Sequence, residues 1–213
     1  MTRPDPIRAV VFDFDGLLAD TEKPWGAAER SMFSSRGVPF GDTERDLFLG
    51  TAVDTTASIM ARYFEEPQPA VLADLLERAR IELGASAPAM PGAAALLTRL
   101  RGRLPYAVAS NTPRDLLKLS LAGSGLGPLV DVVVAGDEVP NPKPAPDVYL
   151  KACHLIGAAP SETLAIEDSP TGAASARAAG LWVAMIPSGT YGPADADAFL
   201  TGLDDPTLAE WLP

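Results

Sequence analysis

The chain has 213 residues, 47% of them hydrophobic and 21% charged, and carries a net charge of −11 at pH 7. Such a length can bury a sizeable core and suits one domain of ordinary size, or a domain that carries a smaller insertion. The acidic balance excludes nucleic acid and anionic membranes as main partners, and an anionic ligand would need positive charge supplied locally by a metal, a lysine or helix N-termini.

The chain opens on an apolar run, Arg8-Ala-Val-Val-Phe, that ends in Asp13-Phe-Asp15-Gly16. A run this apolar fits a strand buried on both faces of a parallel sheet. The two acids interrupt it before a leader-peptide cleavage site could follow, and no apolar stretch is long enough to cross a bilayer, so cytoplasm is the expected compartment.

Residues from Leu18 to Pro88 then read as helix after helix. Glu22 to Arg36, Asp54 to Phe64 and Pro69 to Leu83 carry apolar residues at three- and four-residue spacing, and Gly37-Val-Pro39 and Glu66-Pro67 break them. From Pro91 the pattern alternates. Strands are expected at Tyr106 to Ala109, Val132 to Ala135, Thr163 to Ile166 and Trp182 to Ile186. The helices between them are expected at Pro91 to Arg101, Pro113 to Ala122, Pro146 to Leu155 and Pro170 to Ala179, with Asp204 to Leu212 as a last helix that packs Trp211 on the core.

This order implies an α/β fold: a doubly wound, Rossmann-like parallel-sheet core over residues 1–17 and 89–213, with an all-helical insertion over 18–88. The lone cysteine, Cys153, excludes an internal disulfide and reads as a buried apolar residue. The lone histidine, His154, reads as structural or exposed. The sequence assigns no oligomeric state.

Four short motifs fall at the carboxyl ends of the expected strands, where open α/β sheets bind ligands. The first is Asp13-Phe-Asp15-Gly16; a capped turn competes with a site, but a calcium loop fails because Leu17 and Leu18 stand where its third oxygen ligand and its glycine belong. The second is Ser110-Asn111-Thr112-Pro113, a phosphate cradle or a simple helix cap supplied by Thr112.

In the third, Asn141-Pro-Lys143-Pro-Ala-Pro-Asp147, prolines frame a lysine that is either aimed into a site or solvated. The fourth is Glu167-Asp168-Ser169-Pro170, in which Ser169 or Asp168 could cap the next helix, while a second acid at the end of a buried strand suits a hard cation. Two unit charges about 4 Å apart at an effective dielectric of about 20 interact by roughly 4 kcal/mol, so clustered acids and a phosphate could share a site only with compensation. A divalent metal and Lys143 would provide it.

These four motifs, in this order and spanning residues 8 to 172, resemble the haloacid dehalogenase-like superfamily, in particular its phosphatases and phosphoglucomutases with a helical cap after the first motif. The resemblance implies that Asp13 is the nucleophile that forms an aspartyl-phosphate, and that Asp15 is the general acid and then the base. It implies Mg²⁺ held by Asp13, the Asp15 carbonyl and Asp168, with Glu167 in or beside the coordination shell. It further implies that Ser110, Asn111 and Lys143 hold the phosphoryl group of a small phosphorylated metabolite.

The acid at Asp15 favours phosphoryl transfer, because dehalogenating and phosphonate-cleaving members lack it. Sugar-phosphate mutases of this type carry a cap histidine and a cap arginine; here Trp25 and Val53 stand in those places, although Gly50 of the cap loop is kept, and both departures point to hydrolysis. Candidate cap residues facing the substrate are Glu22, Trp25, Arg45, Thr51 and Asp54.

Overall fold

A computed structural model describes residues 3–48, 51–85, 87–187 and 195–213. Strand β1 (Ala9–Phe12) is buried along its whole length, as its unbroken apolar run requires. It lies between β2 (Tyr106–Ala109) and β4 (Thr163–Glu167), parallel to both, with Val11 opposite Ala107 on one side and Ala165 on the other. Beyond them lie β3 (Val133–Val134) and, on the other flank, β5 (Trp182–Met185) and β6 (Ala198–Phe199), which gives a six-stranded parallel sheet in the order 3-2-1-4-5-6.

Successive strand residues point to opposite faces, so the sheet feeds two separate cores. Val10, Phe12, Leu164 and Ile166 pack with Leu96, Leu97 and Leu100 of one helix (Ala93–Leu100) and Leu117 and Leu121 of another (Arg114–Gly123). Val11, Ala107, Ala109 and Ala165 pack on the far face against the helices Asp147–Leu155 and Pro170–Ala178. Chain order reverses at β1, so the loops leaving β1, β2 and β4 converge over the sheet's carboxyl edge.

After β1 the described chain is helical up to Ala85: Glu22–Ser35, which we call α1, then α2 (Asp42–Asp46), α3 (Val53–Phe64) and α4 (Gln68–Ala85). These helices bury a third core built on Met32, Phe33, Met60, Leu75 and Leu83, joined by Leu116 from beneath. Phe33 is its centre, with the rings of Phe40, Tyr63 and Phe64 at 4.8 to 5.5 Å. Arg36 at the end of α1 donates to Glu66 and Asp74 and so ties α1 to α4. The two crossings between core and helical cap run side by side, as Asp20 N–H donates to the Pro88 carbonyl at 2.9 Å and Met90 N–H to the Leu18 carbonyl at 2.8 Å.

The sequence reading of a doubly wound core with a helical insertion holds. Its element ends shift by at most two residues: Pro170 is a first helical residue as expected, whereas Pro113 and Pro146 stand one place before theirs. Elements α2 and β6, five and two residues long, are too short to show a period and were not expected. The last helix is shorter than expected, Pro206–Trp211, and its Trp211 packs edge-on against Trp182 at 5.0 Å. Cys153 is buried and His154 exposed.

Candidate active site

Asp13 follows the last residue of β1, and its N–H continues the ladder by donating to the Ile166 carbonyl at 3.0 Å. Its carboxylate therefore stands on the carboxyl edge of the sheet, 6% exposed. Lys143, itself buried, reaches in from the proline-framed loop and places Nζ 2.6 Å from both Asp13 Oδ1 and Glu167 Oε1. Burial works against a charged lysine, but the two carboxylates beside Nζ hold it well above its ordinary range, so it stays a cation. Tyr149 completes the clamp by donating to Glu167 Oε1 at 2.6 Å, with its ring 4.9 Å from Nζ.

Glu167 is held on every side. Its Oε1 accepts from Lys143 and Tyr149, and Oε2 accepts from the Asp168 and Ser169 N–H groups and the Ser169 hydroxyl at 3.1 to 3.3 Å. A Cβ at position 172 would lie 1.7 Å from Glu167 Oε1, so only glycine fits there. Ser169 also caps the following helix by accepting from Gly172 N–H, as one of the two sequence alternatives had it.

Asp168 differs from its neighbour. Its buried Oδ2 has no hydrogen-bond partner among the described residues. Burial, then Asp13, Glu167 and Glu22, push its carboxyl well above the usual range; burial likewise raises Asp13 to about 8, with Lys143 opposing and Glu167 and Asp15 adding to the rise. Gly16, at φ +81°, leaves room for that oxygen: a Cβ there would lie 2.4 Å from it. Carboxylate oxygens of Asp13, Glu167 and Asp168 come within 4.8 Å of one another, three acids against one lysine. An orphaned buried oxygen in such a cluster fits a hard divalent cation, with Asp13 and Asp168 as the donors still open.

Asp15 is turned away from this cluster. Oδ1 accepts from the Thr21 hydroxyl at 2.8 Å, and Oδ2 accepts from the hydroxyls of Ser110 at 2.6 Å and Thr112 at 2.8 Å. Ser110 and Asn111, expected to hold phosphate, thus have other partners for their side chains: Ser110 positions Asp15, while Asn111 exchanges two bonds with the Lys143 backbone at 2.7 and 3.1 Å and positions that loop. Thr112 does not cap the next helix; Pro113 occupies that place.

A cavity opens from Asp13, Asp15, Lys143 and Asp168 toward the cap, where Glu22, Trp25, Arg45, Thr51 and Val53 line it. Asp54 does not line it and is exposed; Gly50 lies outside the described residues. Three contributors were missed in the sequence: Thr21, Tyr149 and Glu29. Glu29 carried a readable signal, since positions 22, 25, 26 and 29 fall on one face of α1.

A family model described as haloacid dehalogenase-like hydrolase matches residues 7–180. The chain belongs to this family. Among curated relatives, protein CbbY of Rhodobacter capsulatus is 38% identical over 197 residues, covering 85% of this chain and 86% of that protein. Hexitol phosphatase B of Escherichia coli K12 is 30% identical over 196 residues, covering 88% and 87%. Among solved structures, a mutant CbbY from Rhodobacter sphaeroides in complex with xylulose-(1,5)bisphosphate superposes with a TM-score of 0.76 at 26% identity, covering 92% of this chain and 95% of that one. The chain is therefore an α/β hydrolase with a helical cap, and among its described residues no helix is long and apolar enough to cross a membrane.

Proposed function

We propose that this hydrolase is a Mg²⁺-dependent phosphatase of small phosphorylated metabolites, of the sugar or polyol phosphate kind, that works through an aspartyl-phosphate. Kinship with a hexitol phosphatase supports the substrate class. One observation carries the chemistry: at the end of the central strand a buried Asp13 is paired with a buried lysine and sits beside an unpartnered Asp168 oxygen, while a second carboxylate, Asp15, is lodged apart among hydroxyls.

The two carboxylates then have different work. Asp13 attacks phosphorus as the bond to the leaving alcohol breaks, and Asp15 gives that alcohol its proton. In the second half Asp15 takes the proton of the water that opens the aspartyl-phosphate, which returns Asp13 and releases phosphate. Lys143 balances the phosphoryl oxygens, and Glu167 and Tyr149 hold its ammonium in place. Asp13, Asp168 and the Asp15 carbonyl would hold the Mg²⁺, which supplies further positive charge to the phosphoryl oxygens. Glu167, with both oxygens engaged, is assigned to positioning Lys143.

The test is phosphate release from an aryl phosphate. Asp13→Asn is expected to abolish it in a chain that still folds cooperatively, and chelation of divalent metal is expected to stop it until Mg²⁺ is restored. Activity that survives Asp13→Asn overturns the reading. Trp25 and Val53, in the places where mutases carry histidine and arginine, support hydrolysis over isomerisation; a hexose 1-phosphate should lose phosphate and not rearrange.

A further inference from the structure

On the cap wall of the cavity the Glu29 side chain has no partner among the described residues. Glu29 is 8% exposed, lines the cavity, and makes no hydrogen bond or ion pair with any described residue. It sits on the same face of α1 as Glu22 and Trp25, seven residues beyond Glu22. Glu22 stands at the near end, where its Oε1 would lie 3.6 Å from a Cβ at Gly16 and so borders the Asp168 carboxylate. Seven residues of helix advance about 10 Å, so Glu29 stands roughly that far along α1 from Glu22, the residue that borders Asp168.

A mostly buried carboxyl that lines the cavity and has no hydrogen-bond partner among the described residues is left for whatever enters the cavity to satisfy. Either protonation state accepts a hydrogen bond, and a ligand that donates one would satisfy it. The surroundings limit what that ligand carries. Lys143 is committed to Asp13 and Glu167, and Arg45, the other cation on the cavity lining, faces Glu22 at 3.8 Å. A second phosphate at this end would meet Glu22 and Glu29 with one arginine between them.

We infer that Glu29 reads the end of the substrate remote from the scissile phosphate by accepting a hydrogen bond from a hydroxyl there, so that the substrate is a hydroxylated monophosphate and not a bisphosphate. This inference rests on the phosphatase reading and deepens it. It also separates this chain from the related CbbY structure that holds a bisphosphate.

The experiment compares kcat/KM of the Mg²⁺-loaded wild type, Glu29→Gln and Glu29→Leu on three substrates: a hexitol monophosphate, the matching hexitol bisphosphate and an aryl phosphate without a distal donor. Wild type is expected to prefer the hexitol monophosphate to each of the other two by at least tenfold. Glu29→Leu is expected to lower the preference for hexitol over aryl phosphate at least tenfold, mainly through KM, and Glu29→Gln, which still accepts a hydrogen bond, to restore part of it. An amino-sugar monophosphate that outcompetes the hexitol phosphate tenfold would make the donor an ammonium and overturn the hydroxyl assignment. Equal losses on hexitol and aryl phosphate, or a wild type that turns over aryl phosphate or bisphosphate as well as hexitol monophosphate, overturn the inference and leave the phosphatase reading standing. Survival of aryl phosphate hydrolysis in Asp13→Asn strikes at that reading instead.

Discussion

The floor and the cap wall of the same cavity are built by opposite rules. On the floor nearly every polar atom has its partner: Lys143 lies between Asp13 and Glu167, Glu167 accepts five hydrogen bonds, and Asp15 accepts three. On the wall, among the described residues, Glu29 has none and one oxygen of Glu22 has none. A floor satisfied from within is rigid before any substrate arrives, which suits groups that must meet a transition state in fixed geometry. A wall that leaves buried polar groups open hands their satisfaction to whatever enters, which suits recognition.

The contrast can be broken most severely at Lys143. Lys143→Met leaves two buried carboxylates facing one another without their cation, which in metal-free protein should cost about 3 to 5 kcal/mol. A chain of this size should melt lower by about 6 to 20 °C, with phosphate release lost as well. A melting curve that does not move would show that the floor is not held by this pair.

The opposite sign is expected on the wall. Burial pushes Glu29 up to about 8 against the weaker pull of Arg45 and Arg30, so between the ordinary glutamate range and that value the folded chain holds a proton that the unfolded chain releases. Stability from this group is therefore present at low pH and falls as pH rises through that window. Glu29→Gln removes the penalty and should stabilise the unliganded protein by on the order of 4 kcal/mol at about pH 8, with little change at about pH 5. Paired melting curves at the two pH values check it; a gain that does not grow with pH contradicts it.

Smaller changes sharpen the picture of the floor. Gly172→Ala drives a methyl into the Glu167 carboxylate and should destabilise by about 1 to 3 kcal/mol, with a loss of kcat as Lys143 loses its support. Tyr149→Phe deletes one hydrogen bond to Glu167 and should cost about 1 kcal/mol, seen as a small shift of the urea midpoint. If Tyr149→Phe costs as much as Lys143→Met, the tyrosine and not the lysine is the main support of Glu167.

Much of this architecture was readable because it follows from periodicity. The apolar run before Asp13, the alternation after Pro91 and the three-and-four spacing of the cap helices each determine one element by local rules. The four motif loops were readable for the same reason, since each follows a legible strand. Tyr149 was not: it sits on an ordinary amphipathic helix, and nothing local tells that its hydroxyl meets a glutamate 18 residues away. The same holds for Ser110 and Thr112, whose hydroxyls turn to Asp15 across 95 and 97 residues. Asp54 failed for a related reason, because helical spacing gives a face but not what the face looks at.

By itself the sequence determined which residue types stand at the ends of which strands, because strands and helices are written in the short-range pattern of apolar side chains. The pairing of those residues was decided only by tertiary structure. Whether Glu167 grips a lysine or stands free, whether Asp15 faces hydroxyls or a cation, and whether Glu29 is met or left open all depend on groups brought together across distant parts of the chain. The energy of a buried charge is set by those neighbours and not by its place in the sequence.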